Sequence, residues 1–432
     1  MGEDMAQSIL RLSLLVFIVG PFLSANAAIL ESSFSSATQI QESLTSEHPF
    51  VMELGIEYLH PQFPAIQNIV IQNSVVSNTS ATGTVASDYP DAFAQTLKLQ
   101  ALLNPNNQWT ASLKTFLPLN SLTQVDTGNL YQPEYVLYRS DLQRPRIHLM
   151  SGLNLNPSFR IGFGLDFGFS VNSQANVFLQ SGTNSAGQTT YSDQRISAKV
   201  KPTIAPEVSA QYQDVALTIR AENKSTFDLS ANASALVFGN RAQKDFDYTS
   251  SSVLFFDPWR FDLDTKTNLS DQIKLLYGVS YQLWSRFQAP AAVINGVTTN
   301  NCNGQSGCST TFSPGLAPAF QAHNIFVPTL GVQWQQGEHR YQVRYRYKDS
   351  IFKGLPTTNQ SGNYLDPPRH DLLLETGFLF ASGVELSFHG QVSRLVSQNV
   401  VKSNPDEIGA PGYTVSGWLY GGGVDLSIPL KL

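Results

Sequence analysis

The sequence predicts an all-β fold: a transmembrane antiparallel β-barrel of about 14 strands, with short periplasmic turns and long extracellular loops. Three observations carry that expectation. Apolar and polar side chains alternate with a period of two over long segments, as in a strand with one apolar and one wet face. Charged residues make up only 14% of the chain, against about 25% in ordinary soluble domains. Short polar turns and long polar segments succeed one another along the chain, the layout of a barrel whose short turns lie on one side of a membrane.

Residues 1–27 read as a secretory signal peptide. Arg11 precedes an apolar stretch from Leu14 to Leu23, and Ala25-Asn-Ala27 supplies small residues for cleavage. The run is shorter than the ~20 residues of a spanning helix, so cleavage rather than anchoring is expected, with Ala28 the first mature residue. Residues 28–49 then form a short N-terminal segment, a candidate reduced lumen plug, and residues 50–432 the barrel.

The alternation is clearest from Phe159 to Ser170. Phe159, Ile161, Phe163, Leu165, Phe167 and Phe169 share one face, while Arg160, Gly162, Gly164, Asp166, Gly168 and Ser170 share the other. Ile273 to Leu283, Tyr341 to Lys348 and Val384 to His389 repeat the pattern. Tight reversals are expected at Asn104–Asn107, Asn154–Ser158, Gln211–Asp214, Thr267–Asp271, Gln335–Glu338 and Ala381–Gly383, where Asn, Asp, Gly and Pro supply the backbone angles. Longer polar segments lie near residues 60–91, 120–145, 173–191, 232–250, 288–323, 351–367 and 397–412. Trp109, Trp284, Trp334 and Trp418 near strand ends fit interfacial girdles, with a buried core position as the alternative for any one of them. A soluble β-sandwich would also alternate, but its strands usually run to about five or six residues.

A net charge of −6 gives no basic footprint, so nucleic acid is not an expected partner. Cys302 and Cys308 share one loop, and export permits a disulfide between them. Two free thiols are the alternative; a metal site would need further ligands, and none is near in sequence.

Chemistry, if present, belongs to the inward face. Glu53 and Glu57 share a face of the first strand; Arg260, Asp262 and Asp264, then Asp371 and Glu375, do so later, and Glu385 shares a face with Ser387 and His389. Arg344, Arg346 and Lys348 put three positive charges on one face, an anion-attracting field unless neighbouring carboxylates neutralise it. The lumen-facing charged candidates are therefore Glu53, Glu57, Arg344, Arg346, Lys348, Glu375 and Glu385. His148 and His389 could face the lumen, but a nucleophilic triad would need a serine and an acid placed beside one of them, and no nucleophile elbow or phosphate loop occurs. No enzyme, metal or cofactor is expected.

Three C-terminal segments carry a resemblance: Asn324–Trp334, Tyr341–Ser350 and Leu365–Asp371, the last with the Arg369-His370 pair opening a strand. Pro206–Asn223 and Tyr281–Phe287 are loosely similar too. Together they resemble the outer-membrane long-chain fatty-acid and hydrocarbon transporters of the FadL/TodX type. That resemblance implies passive uptake of hydrophobic molecules through an apolar groove of extracellular loops, an N-terminal hatch in the lumen and a lateral path opened by ligand. It also implies a setting of outer-membrane lipid and lipopolysaccharide, and insertion by the barrel-assembly machinery. The sequence departs from the family in two places: no Asn-Pro-Ala motif is present, and the last residue is Leu432 rather than an aromatic. Apolar residues that a groove would use occur at Phe63, Ile66, Ile69, Val70, Ile71, Val75 and Val76, and from Ala289 to Val297. The alternatives are a general or anion-preferring diffusion porin, an outer-membrane enzyme, or a structural or adhesive barrel.

Overall fold

The computed structural model describes residues 50–73, 80–85, 94–104, 108–119, 134–135, 144–181, 191–237, 243–287, 293–300, 309–312, 322–352, 364–402, 405 and 409–430. The expected signal peptide, the segment 28–49 and the Cys302/Cys308 pair lie outside the described residues.

Fourteen strands form a closed antiparallel barrel. They are β1 (Phe50–Gln62), β2 (Ala94–Leu103), β3 (Trp109–Pro118), β4 (Arg146–Asn156), β5 (Phe159–Ser181), β6 (Tyr191–Tyr212) and β7 (Val215–Arg220). β8 (Arg260–Asn268), β9 (Ile273–Gln282), β10 (Ile325–Gln336), β11 (His339–Lys348), β12 (Arg369–Leu379), β13 (Glu385–Val401) and β14 (Gly412–Leu430) complete the ring. Each pairs with the next, and β1 pairs with β14 from Phe50↔Leu430 to Gln62↔Trp418, which closes the sheet on itself. Five of the six reversals read from the sequence are short connections at one end, the end where Phe50 meets Leu430, and residues 105–107 of the sixth lie outside the described residues. In the two-residue turn after β10, Gly337 adopts a φ of +59°, which glycine takes without a steric penalty.

The usual inside-out rule of soluble proteins is reversed. Outward side chains such as Leu54, Ile56, Phe163, Val208, Leu263, Leu330 and Leu374 are exposed, whereas Glu57, Lys98, His148, Asp166, Glu207 and Asp371 are buried within the ring. Hydrocarbon is the solvent outside such a wall, so apolar residues belong there and every backbone polar group must be paired within the sheet. Trp109 and Trp418 are exposed outward at opposite ends of the barrel, and Trp334 stacks on Tyr341 with ring centroids 5.1 Å apart. Trp284 departs from the girdle expectation. It follows β9 in a 3-10 turn (Trp284–Arg286), points inward, and is buried against Phe256, Ile325 and Val327, with its indole N–H donating to Gln282 at 2.7 Å.

Several segments expected as loops are strands. β5 and β6 cover residues 173–181 and 191 of the segment 173–191, and strands of the hairpin Asn223–Val237 and Gln243–Asp257 cover 232–237 and 243–250. The 60–91 segment holds the hairpin Ile66–Asn73/Ser80–Val85, and 288–323 holds Val293–Asn300 and Ser309–Phe312. Beyond the bilayer both faces of a strand can be polar, so the ladder continues after the apolar alternation has stopped.

Candidate functional site

β7 determines the site. It has six residues, whereas a tilted strand needs roughly 9–11 to cross the hydrocarbon layer. Its last bond to β6 runs from Ala221 N to Pro206 O at 2.9 Å. Above that point β6 continues to Tyr191 with no strand on its β7 side among the described residues. Among the described residues the barrel wall is therefore incomplete above β7, between the edge of β6 and the segment around Trp259 and Leu283. The Ala221–Pro206 bond also shows that even-numbered residues of β6 aim their backbone groups at this break. Pro202 and Pro206 both fall in that set and have no N–H, so two donors that an open edge would leave unpaired are missing.

The chain that leaves β7 turns into the barrel. Asn223 accepts a hydrogen bond from Thr203 Oγ1 at 2.7 Å and donates to Asp166 Oδ2 at 3.3 Å, both on the inner face. Ser225 is fully buried over Gly168, and Thr226 N donates to Ser170 Oγ at 2.9 Å. From Phe227 to Val237 the strand then runs parallel to the upper part of β5, on the edge that β4 has left. The returning strand of this hairpin packs Val253 and Phe256 against Trp284, Ile325, Val327 and Ile351 on the far side. The base of the Asn223–Asp257 hairpin thus lies across the inside of the barrel from β5 to β10, level with Asp166–Ser170 of β5.

Charged side chains occupy the rest of the inner face. Arg146 meets Asp166 at 2.6 Å, Arg144 meets Asp257 of the hairpin at 2.5 Å, and Arg220 meets Glu207 at 2.7 Å. Lys98 bridges Glu53 and Asp425, and His389 lies 3.2 Å from the same Asp425. His148, wholly buried, lies 3.6 Å from Glu207. Two histidines therefore meet carboxylates, and the partners come from neighbouring strands or across the sheet rather than from a serine-bearing loop. Among the described residues no group of three or more His, Cys, Asp or Glu is placed to hold a metal ion.

The residues singled out in sequence take these positions. Glu53 pairs with Lys98, and Glu57 is buried beside them with its Oε2 unpartnered. Arg346 forms a two-nitrogen contact with Asp371 at 2.7 and 2.8 Å. Arg344 lies 3.9 Å from Glu375, and Arg340 binds both Glu375 (2.8 Å) and Glu385 (2.9 Å). Lys348 sits over the Trp284 ring, 5.3 Å from its centroid. The β11 cations are thus interleaved with carboxylates of β12 and β13. Below the hairpin a cavity of about 730 Å³ remains, lined by Arg160, Asp214, Asp264, Lys274 and Arg344 among others. Lys98, Arg146, Asp166, Glu207 and Arg220 did not stand out in the sequence as single residues, because their partners are fixed by register.

Above this belt the inner face turns apolar. Leu59 and Phe63, Leu395 and Val400, and Tyr413, Val415 and Leu419 form one cluster with Ile66, Ile69 and Leu365 at the extracellular mouth. Phe63, Ile66 and Ile69 are thus packed rather than splayed into a groove, whereas Val75 and Val76 lie outside the described residues.

Neither a protein-family model nor a curated protein sequence matches the chain. Solved structures do. A monoaromatic hydrocarbon channel, TodX lacking S2 and S3, shares 11% identity over 94% of this chain and 96% of its own, with a TM-score of 0.52. The Pseudomonas putida toluene transporter TodX shares 10% over the same fractions, with a TM-score of 0.50. A Pseudomonas aeruginosa FadL homologue shares 12% over 91% and 92%, with a TM-score of 0.48. The FadL/TodX-type channels are thus its structural neighbours, and the likeness to TodX is one of fold. A closed barrel of this fold with an apolar exterior belongs to the bacterial outer membrane.

Proposed function

We propose that the protein carries small hydrophobic compounds, such as long-chain fatty acids or aromatic hydrocarbons, passively across the outer membrane. The solute enters at the apolar mouth and leaves sideways through the break beside β7. The observation that carries this reading is a hairpin base lying inside the ring at the depth where β7 stops short. A hydrated solute going straight through meets the Asn223–Asp257 hairpin and a belt of ion pairs. An apolar solute gains from leaving water at the mouth and again on reaching acyl chains at the break. The hairpin takes the plugging role that the family resemblance assigns to an N-terminal hatch. The names of the TodX structures, a hydrocarbon channel and a toluene transporter, support the same class of cargo. Such a route involves no covalent chemistry and no cofactor.

The test joins planar-bilayer conductance with uptake of a fluorescent long-chain fatty acid or of toluene into cells bearing the protein. Low or flickering conductance with protein-dependent uptake is expected. A large, stable conductance indifferent to either compound would replace this reading with that of an open, general or anion-preferring porin.

A further inference from the structure

On the outside of the barrel one row of side chains crosses five strands. In register, Tyr347 of β11 faces His370 of β12, His370 faces Arg394 of β13, Arg394 faces Trp418 of β14, and Trp418 faces Gln62 of β1. These residues share the outward parity of Tyr345, Leu372, Val392, Val424 and Ile56, all exposed to the lipid side. Arg394 stands nine positions above Glu385, the first residue of β13 (394 − 385 = 9). Since roughly 9–11 residues cross the hydrocarbon layer, the row lies at its extracellular boundary.

Arg394 is held there without being neutralised. Its Cζ lies 5.6 Å from the Trp418 ring centroid, and Trp418 stacks with Tyr420 at 6.2 Å. A cation–π contact holds the guanidinium near the ring face and leaves its N–H fork unused. Among the described residues Arg394 makes no hydrogen bond and no ion pair. By contrast, Arg146, Arg220, Arg340 and Arg346 in the lumen are all paired. Beside it, the Tyr345 hydroxyl and His370 Nδ1 share a hydrogen bond of 2.6 Å, and the His370 ring lies 5.2 Å from that of Tyr347. The row contains no carboxylate.

We propose that this row binds the phosphate of an outer-leaflet glycolipid. The Arg394 fork takes two phosphate oxygens, the geometry in which guanidinium recognises that group best. His370 and the tyrosine hydroxyls border the headgroup, and the acyl chains lie on Leu372, Val392 and Val424 below. Lumenal cargo does not reach this face, so the site is separate from the transport route and does not depend on it.

The test is native mass spectrometry of the full-length protein in detergent with diphosphoryl lipid A as the probe, and with lipid A stripped of both phosphates as the control. Wild type is expected to retain the phosphorylated lipid and to bind the stripped one at least tenfold more weakly. Arg394→Gln should lower retention by a similar factor, and Arg394→Lys should restore part of it. Equal binding of the two lipids by wild type, a measurement that needs no variant, would overturn the proposal. So would unchanged retention by Arg394→Gln that still runs as a folded, heat-modifiable band.

Discussion

Gly55 and Asp425 face each other across the seam between β1 and β14, and the Asp425 carboxylate occupies the space that a Cβ on Gly55 would fill. The arrangement recurs: His389 lies over Gly423, Asp264 over Gly278, Arg344 over Gly331 and Glu385 over Gly377. An inward glycine lets a charged neighbour lie flat along the wall and reach a partner. Gly55→Ala should push Asp425 away from Lys98 and cost about 1–3 kcal/mol, read as a lower urea midpoint of the heat-modifiable folded form. Gly390→Ala is the control. Its Cβ would meet nothing nearer than 3.9 Å, and a change within about 0.5 kcal/mol is expected.

The Arg346–Asp371 pair offers a double-mutant cycle. Both side chains are almost wholly buried, so removing one leaves an uncompensated charge. Asp371→Leu alone should destabilise by about 3–5 kcal/mol, while Arg346→Met with Asp371→Leu should recover most of that loss. Additive losses, with the double variant destabilised by the sum of the two single variants, would mean that the pair is not electrostatically coupled.

Replacing residues 224–256 with a short Gly/Ser linker removes the inner hairpin and leaves all fourteen barrel strands. Bilayer recordings should then show a stable, large conductance where the full protein shows little. Unchanged low conductance would mean that the hairpin is not what obstructs the lumen.

Asn223→Ala tests how that hairpin is fastened. The change removes hydrogen bonds to Thr203 and Asp166 and leaves their polar atoms inside the wall, at a cost of about 1–3 kcal/mol. More frequent brief openings are expected in single-channel records, with the barrel still heat-modifiable.

Much of the fold was legible in the sequence because two signals agreed. Period-two alternation from Phe159 to Ser170 and turn chemistry at positions such as Gln335–Glu338 each fix local geometry, and together they give strand order, closure and the end that carries short turns. The inner hairpin was not legible. Residues 232–250 read as a long polar segment, and a polar stretch tells neither that it holds a ladder nor whether that ladder lies in the wall or behind it. Trp284 takes the buried alternative for a related reason: a tryptophan at a strand end suits a girdle or a core, and the 3-10 turn after Leu283 directs it inward. The charge pairs were hidden because they depend on register. Arg346 meets Asp371, and Arg220 meets Glu207, only once adjacent strands are aligned residue by residue. The missing upper part of β7 had one local trace, Pro202 and Pro206, whose meaning depends on which edge of β6 they face.

The seam between β1 and β14 also governs assembly. Every other wall contact joins strands that follow each other along the chain, so those hairpins can zip in order as they arrive, whereas Phe50 and Leu430 must find each other across the whole polypeptide. Closing so long a loop is slow, and the completed seam places Lys98, Glu53 and Asp425 in one cluster. Closure and charge neutralisation are therefore one event: until the last strand docks, the buried lysine of β2 lacks one of its two carboxylates, and a barrel halted one strand short carries that deficit at its open edge.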